Sequence, residues 1–306
     1  MTRIPSHYLD AVAVLEAGQM GDEEMTFQAV ATATIFGYAL EDQSGAAEGL
    51  VARMPILVTS KHVVEGLDEL YIRFNQGSGS GSDRFRMPLQ HEDGGHVFHI
   101  SEQYDIAVTP VLGKALRDAG ADFAPIPDAA MLDFAGLEAE RIAGGDTVFT
   151  LGFPMGLAGD EKKYAIVRGG VVARLDQEIV EKTGGFLIDC AVFPGNSGGP
   201  VILPTEMHTL GPDESPRRRV HVIGIVSGYL PYEDVAVSAQ SRTPRVSFVE
   251  NSGLATVVPL DAVHDLARPI IQKMEASQRD DEETTEDADA PPGGENPSAE
   301  GLPPPD

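Results

Sequence analysis

Apolar residues recur along the chain in short runs rich in Val, Ile, Thr and Phe, set between clusters of Gly, Pro and Asp. The first set comprises Phe27–Phe36, Ile56–Thr59, Leu70–Phe74, Val97–Ile100 and Ile106–Val111. The second comprises Thr147–Leu151, Tyr164–Leu175, Phe186–Val192, Val201–Leu203, Val220–Val226 and Leu254–Val258. Many short strands with turn residues between them predict an all-β, antiparallel fold rather than alternating βαβ units. The stretch 112–145 is poorer in strand signal and holds a short helix near Gly113–Ala119, so it reads as a linker. Lobe one is therefore expected over about 8–111 and lobe two over 146–258. From Pro259 to 274 the apolar residues fall at helical spacing, which predicts a closing C-terminal helix interrupted at Pro269. Tyr8–Leu15 is assigned weakly to a strand. Gln76–Asp83, with alternating Gly and Ser, is expected to be a hairpin tip, and Thr205–Arg219 and Tyr229–Ser252 two longer hairpin loops.

Composition narrows the function. The 306 residues include 48 acids against 22 Lys and Arg, a formal charge of −26. Sequence-independent nucleic-acid binding needs Lys and Arg to neutralise phosphates, and anionic membrane surfaces make the same demand, so neither is expected as a partner. The charge is uneven: 275–306 holds eleven acids and the single base Arg279. With almost no apolar residue to repay ordering, that stretch is expected to be a disordered, acidic, Pro-rich tail. One cysteine excludes an intramolecular disulfide framework. Near the N-terminus, Ala11–Leu15 is bracketed by Asp10 and Glu16, too short for a secretory leader. No window reaches the roughly 20 apolar residues of a membrane span. A cytoplasmic protein is the expectation.

Candidate chemistry starts at Phe193-Pro194-Gly195-Asn196-Ser197-Gly198-Gly199-Pro200. A serine between glycines sits on a tight turn where backbone N–H groups can converge, as a developing oxyanion requires. A glycine-rich β-turn with no chemistry is the bland alternative. Serine is a weak nucleophile without a base. Upstream, Thr59-Ser60-Lys61-His62-Val63-Val64 places a histidine after a strand end, and Asp105-Ile106-Ala107 places an acid at the mouth of another. Each alone is ordinary; His62, Asp105 and Ser197 in that order point to a base, its orienting carboxylate and a nucleophile.

On those residues the chain resembles the chymotrypsin-like (trypsin-fold) serine proteases, especially bacterial Deg-type and other stand-alone trypsin-like peptidases. Gly195–Pro200 is similar to the nucleophile motif, Thr59–Val64 to the histidine motif and Asp105–Ala107 to the aspartate motif. Leu151–Gly156 and Ile223–Gly228 are further matches, and the resemblance covers about 27–266. It implies two six-stranded β-barrels with the site between them. It also implies Ser197 as nucleophile, His62 as general base and acid, Asp105 as orienting carboxylate, and the N–H groups of Gly195 and Ser197 as the oxyanion hole. Ser227 matches a serine close to the aspartate, and Ala191, six residues before the nucleophile, opens the wall of a specificity pocket that includes Ser227 and Gly228. A small apolar residue at Ala191 predicts cleavage after small or medium aliphatic side chains rather than after Lys or Arg.

The departures also inform. Asn196 stands where digestive relatives carry an aspartate that pairs with a freed N-terminus, so activation by that ion pair is not expected. Ala31–Phe36 replaces a glycine-rich strand, and no PDZ-like sequence follows Met274. Recognition of peptide or protein substrates, or of a regulatory protein, therefore falls to the loops, the N-terminus or the tail. His91, His96 and His99 match no closed metal site, and Cys190 reads as a small buried hydrophobe. No cofactor is implied. The leading expectation is a serine endopeptidase. The alternative is a trypsin-fold binding or regulatory module whose triad is dormant or partner-activated.

Overall fold

The computed structural model describes residues 4–21, 24–41, 51–91, 94–204 and 220–288, the last eleven of these as backbone only. Lobe one begins with helix α1 (Ser6–Asp10) and strands β1 (Val12–Met20), β2 (Met25–Ala39) and β3 (Arg53–Thr59). After the single turn α2 (Lys61–Val64) come β4 (Glu69–Gln76), β5 (Ser82–Pro88), β6 (His99–Ile100) and β7 (Ala107–Pro110). Then follow α3 (Gly113–Asp118), the short strands β8 (Ala121–Asp122) and β9 (Ile126–Pro127), and α4 (Phe134–Ala139). Lobe two holds β10 (Thr147–Gly152), β11 (Ile166–Arg174), α5 (Gln177–Thr183), β12 (Phe186–Asp189), β13 (Pro200–Leu203), β14 (His221–Val237) and β15 (Pro244–Pro259). Helix α6 (Leu260–Ala288) closes the described chain.

Lobe two is a closed six-stranded barrel in the order β10-β11-β12-β15-β14-β13. Lobe one differs from the expected six strands. Its nine-stranded sheet runs β5-β4-β1-β2-β3-β7-β6, with β8 added to β4 and β9 to β2; among the described residues its ladders do not close into a ring, and the sheet and barrel together are consistent with the expected double barrel. The two added strands come from the expected linker, which is thereby stitched into lobe one.

Successive side chains on a strand face opposite ways, and here both faces are covered. On β1, Ala13 and Leu15 enter the lobe-one core with Leu57, Leu70 and Phe74. Val12 and Val14 enter a second core between the lobes, with Leu151, Phe153, Ile225 and Val258. The α6 residues Leu260, Val263, Ala267 and Ile270 pack into that same middle core. A third core fills the barrel, around Val148, Phe186, Ile188 and Val257. The two lobes are therefore held together by apolar burial, which explains why their strands read as continuous apolar runs rather than clean alternation.

Other elements depart from expectation. Tyr8–Leu15 divides between α1 and β1. β5 carried too little apolar signal to be recognised, because only Phe85 and Met87 interrupt its charged, partly exposed sequence. Tyr229–Ser252 is not a loop but a two-stranded ribbon made by the outer halves of β14 and β15. α6 continues past 274 to Ala288, anchored by Asp261, which accepts from Phe134 N–H, and by the buried Glu275, which accepts from Glu41 N–H at 2.6 Å. Thr205–Arg219 and 289–306, the rest of the expected tail, lie outside the described residues.

Candidate active site

β3 delivers the histidine. Thr59 and Ser60, both fully buried, end the strand, and α2 turns once. Val63 and Val64 are drawn into the core, which leaves His62 on the opposite side with its side chain about half exposed. Asp105 is placed by a turn in which Ser101 Oγ accepts from the N–H groups of Gln103 and Tyr104. Ile106 and Ala107, both buried, then pull the chain into β7.

Three donors converge on the Asp105 carboxylate. His62 Nδ1 lies 2.7 Å from Oδ2, and His62 backbone N–H donates to Oδ1 at 2.9 Å. Ser227 Oγ donates to Oδ2 at 2.6 Å, from a bulge in β14 that re-aims its side chain. Burial opposes the charge on Asp105, but these hydrogen bonds outweigh it and hold the carboxyl below its ordinary value. The hydrogen bond to Asp105 raises His62 above the ordinary imidazole value, against an opposing effect of burial.

The serine loop is closed on itself. Phe193 N–H donates to Asn196 Oδ1, Asn196 N–H to Phe193 O, Gly199 N–H to Asn196 O and Gly198 N–H to Val226 O. Pro194 and Pro200 have no N–H. Among the described residues, only the amides of Gly195 and Ser197 in this loop donate to nothing in the protein. Each is oriented through its own peptide, because a trans peptide sets N–H opposite C=O. Pro194 O accepts from Met155 N–H at 2.7 Å, and Asn196 O accepts from Gly199 N–H at 2.9 Å. Gly195 and Gly198 have φ of +100° and +87°, a region costly for other residues. Met155 takes φ +56° despite its side chain, a strain that coincides with its grip on Pro194.

Sequence reasoning missed what carries this loop. Thr32 and Thr34 on β2 are fully buried. Thr32 Oγ1 donates to Gly195 O at 2.7 Å and accepts from Phe153 N–H, while Thr32 N–H donates to Ser197 O at 2.9 Å. Thr34 Oγ1 donates to Gly198 O at 2.8 Å. The signal was the replacement of the glycine-rich strand by alternating Ala and Thr, which puts hydroxyls on the face toward lobe two.

One cleft of about 390 Å³ brings together His62, Asp105, Ser197, Ser227 and Gly228. Val192, Phe193, Val226 and Tyr229 also line it, and Ala191 does not. Ser197 Oγ donates to the Ser227 carbonyl at 2.9 Å, and no hydrogen bond joins it to His62. His96 Nδ1 accepts from Phe98 N–H, and the backbone of His99 pairs with Val108 in the sheet. Cys190 is buried beside Thr150, and burial pushes its thiol up.

A β-lobe bearing a histidine–aspartate pair and a β-barrel bearing a glycine-flanked serine, facing one cleft, make the arrangement of the trypsin-like peptidase fold. Residues 29–211 match the trypsin-like peptidase domain, and the chain belongs to that family. Among solved structures it is similar to the apo protease domain of MamO from Magnetospirillum magneticum, at 14% identity and a TM-score of 0.40. That match covers 85% of this chain and 96% of that one. It is also similar to catalytically active tobacco etch virus protease complexed with product, at 12% identity and a TM-score of 0.42, covering 89% of this chain and 84% of that one. No curated protein matches the chain. No described helix is long and apolar enough to cross a membrane.

Proposed function

We propose that the chain is a serine endopeptidase that cleaves peptide bonds through an acyl-enzyme on Ser197. His62 takes the Ser197 proton as the hydroxyl attacks the carbonyl, then returns it to the leaving amine. Asp105 fixes the imidazole tautomer and stabilises the imidazolium. The amides of Gly195 and Ser197 receive the oxyanion. The observation that carries this reading is that these two amides alone in a fully bonded loop have no acceptor, beside a His62 already oriented by Asp105. A fluorophosphonate probe is expected to label the purified protein, and Ser197→Ala to abolish the labelling. Absence of labelling in the unaltered chain under every condition tried sinks the proposal.

The cleft suits an aliphatic residue before the scissile bond. Val192, Val226 and Tyr229 line it, and the only carboxylate among its described lining residues, Asp105, is committed to His62 and Ser227. A peptide library is therefore expected to be cut mainly after small or medium aliphatic residues. Dominant cleavage after Lys or Arg overturns this assignment.

One observation favours a second reading, a module whose triad is dormant or partner-activated: Ser197 Oγ is engaged by the Ser227 carbonyl rather than by His62. Catalytic hydrogen bonds often tighten only when substrate binds. Labelling that appears only after a partner protein is added identifies this second case.

A further inference from the structure

β14 and β15 run on beyond the barrel. From Pro231 to Val237 and from Pro244 to Asn251 they pair, among the described residues, only with each other. Every residue of 231–237 and 239–250 is exposed. An isolated two-stranded ribbon is marginal in water, and contiguous exposed apolar surface marks an interaction site. Cross-strand pairing sets Tyr232, Asp234, Ala236, Val246, Phe248 and Glu250 on one face. Of these, Tyr232, Val246 and Phe248 are 52% to 57% exposed. The other face carries Val235, Val237 and Val249 with Glu233, whose carboxylate already accepts from Ser247 Oγ.

Charge is separated along the ribbon. Its base holds the acids Glu233, Asp234 and Glu250. From Val235 through the turn to Val249 there are two arginines, Arg242 and Arg245, and no acid. Arg242 lies in the turn at the tip, and Arg245 in the bulge between the Ala236–Val246 and Val237–Pro244 pairs. Among the described residues, none of Asp234, Glu250, Arg242 and Arg245 makes an ion pair within its own chain. Phe248 lies two residues from Glu250 and three from Arg245 on β15. A two-fold axis beside Phe248 therefore lays the basic tip of one ribbon on the acidic base of another, and the reverse. A contact between identical surfaces needs this self-complementarity. Elsewhere a net charge of −26 sets copies of the chain against each other, so a locally basic end is what lets two of them meet.

We infer that this ribbon face is the contact between two copies of the chain, packed antiparallel about a two-fold axis beside Phe248. Tyr232, Val246 and Phe248 of both copies form its apolar centre, and Arg242 and Arg245 of each meet Asp234 and Glu250 of the other. The charges set the direction. Parallel ribbons bring tip to tip and base to base, and like charges so juxtaposed are costly. β14 also lines the cleft up to Tyr229, three residues before Tyr232, so the dimer carries each basic tip toward the rim of the other copy's cleft. The inference goes beyond the peptidase reading and holds whether or not Ser197 reacts.

The test is sedimentation equilibrium of the full chain carrying Ser197→Ala, which removes any self-cleavage. A mass of two chains is expected, with a dissociation constant tighter than about 100 μM. Arg242→Glu with Arg245→Glu makes both ends acidic, and Asp234→Arg with Glu250→Arg makes the base basic. Each double variant alone is expected to weaken the dimer at least about tenfold, and an equimolar mixture to recover a dimer holding one of each. All four substitutions in one chain reverse both ends and are expected to restore self-association. A chain that stays monomeric at about 100 μM overturns the proposal and leaves the ribbon to a foreign partner. So does a dimer that both double variants leave intact, since it lies elsewhere, or a mixture of the two that stays monomeric. Should a variant fail to fold, hydrogen exchange of the full chain decides. Amides of 232–237 and 246–250 are expected to slow about tenfold as protein concentration rises through the dissociation constant, and exchange there that ignores concentration refutes the contact.

Discussion

Asp105→Asn is expected to lower turnover by about 10⁴, with the fold and substrate affinity nearly unchanged. The carboxylate takes three donors: His62 Nδ1, His62 N–H and Ser227 Oγ. An asparagine offers one accepting oxygen and an NH₂ group, so it cannot serve donors on both of its arms. With the NH₂ toward Nδ1, the imidazole must accept there and carry its proton on Nε2, the atom that should remove the serine proton. The base is then lost although every residue stays in place. A fall smaller than about tenfold refutes the role given to Asp105. The pH profile gives a second readout. His62 works as a base only when neutral, and the hydrogen bond to Asp105 raises it above its ordinary 6.5. Activity in the unaltered chain should therefore rise with pH through a value above 6.5. In Asp105→Asn the largest raising cause is gone, while burial, which lowers the imidazole, remains beside the smaller raising effect of Glu65, so the limb should move to lower pH. Profiles of kcat/KM for both chains check the direction.

Much of this site was legible because chemistry fixes its residue types locally. A serine between glycines, a histidine after a strand end followed by Val63 and Val64, and an aspartate before Ile106 and Ala107 each declare an exposed polar group beside a buried apolar anchor. The groups that hold them were less visible. Thr32 and Thr34 look like ordinary strand residues, and only the fold reveals that their hydroxyls cross to the other lobe and carry Gly195 and Gly198. Met155 gave no sign that its N–H orients the amide of Gly195. The two lobes followed from the two sets of apolar runs. The ribbon did not, because Pro231, Glu233, Asp234 and Pro244 read as turn residues. Pro231 fits at a bulge on a strand with a free edge, where a missing N–H costs little. β8 and β9 are two-residue strands whose pairing comes entirely from neighbours distant in sequence, beyond the reach of any local pattern.

Gly195→Ala is expected to cost about 10² to 10³ in kcat, the loss that follows removal of one oxyanion donor. A Cβ on Gly195 would sit 2.3 Å from the Phe153 carbonyl oxygen, and φ of +100° strains any side chain. The Pro194–Gly195 peptide must therefore rotate. Pro194 O then leaves the Met155 N–H, and the Gly195 N–H turns away from the position it shares with that of Ser197. His62, Asp105 and Ser227 belong to other elements and keep their contacts, so the acidic limb of the pH profile should stay where it is in the unaltered chain. That combination, a large kcat loss with an unmoved limb and little change in KM, separates a failed oxyanion hole from a failed base. Gly198→Ala is the comparison that isolates structure from chemistry. Its Cβ would lie 2.0 Å from Thr32 O and 2.5 Å from Thr59 Oγ1, against the strand that ties the two lobes together. The melting temperature should fall in Gly198→Ala by more than in Gly195→Ala. If Gly195→Ala keeps kcat within about threefold, the amide of Gly195 does not hold the oxyanion, and Ser197 N–H must act with a different donor.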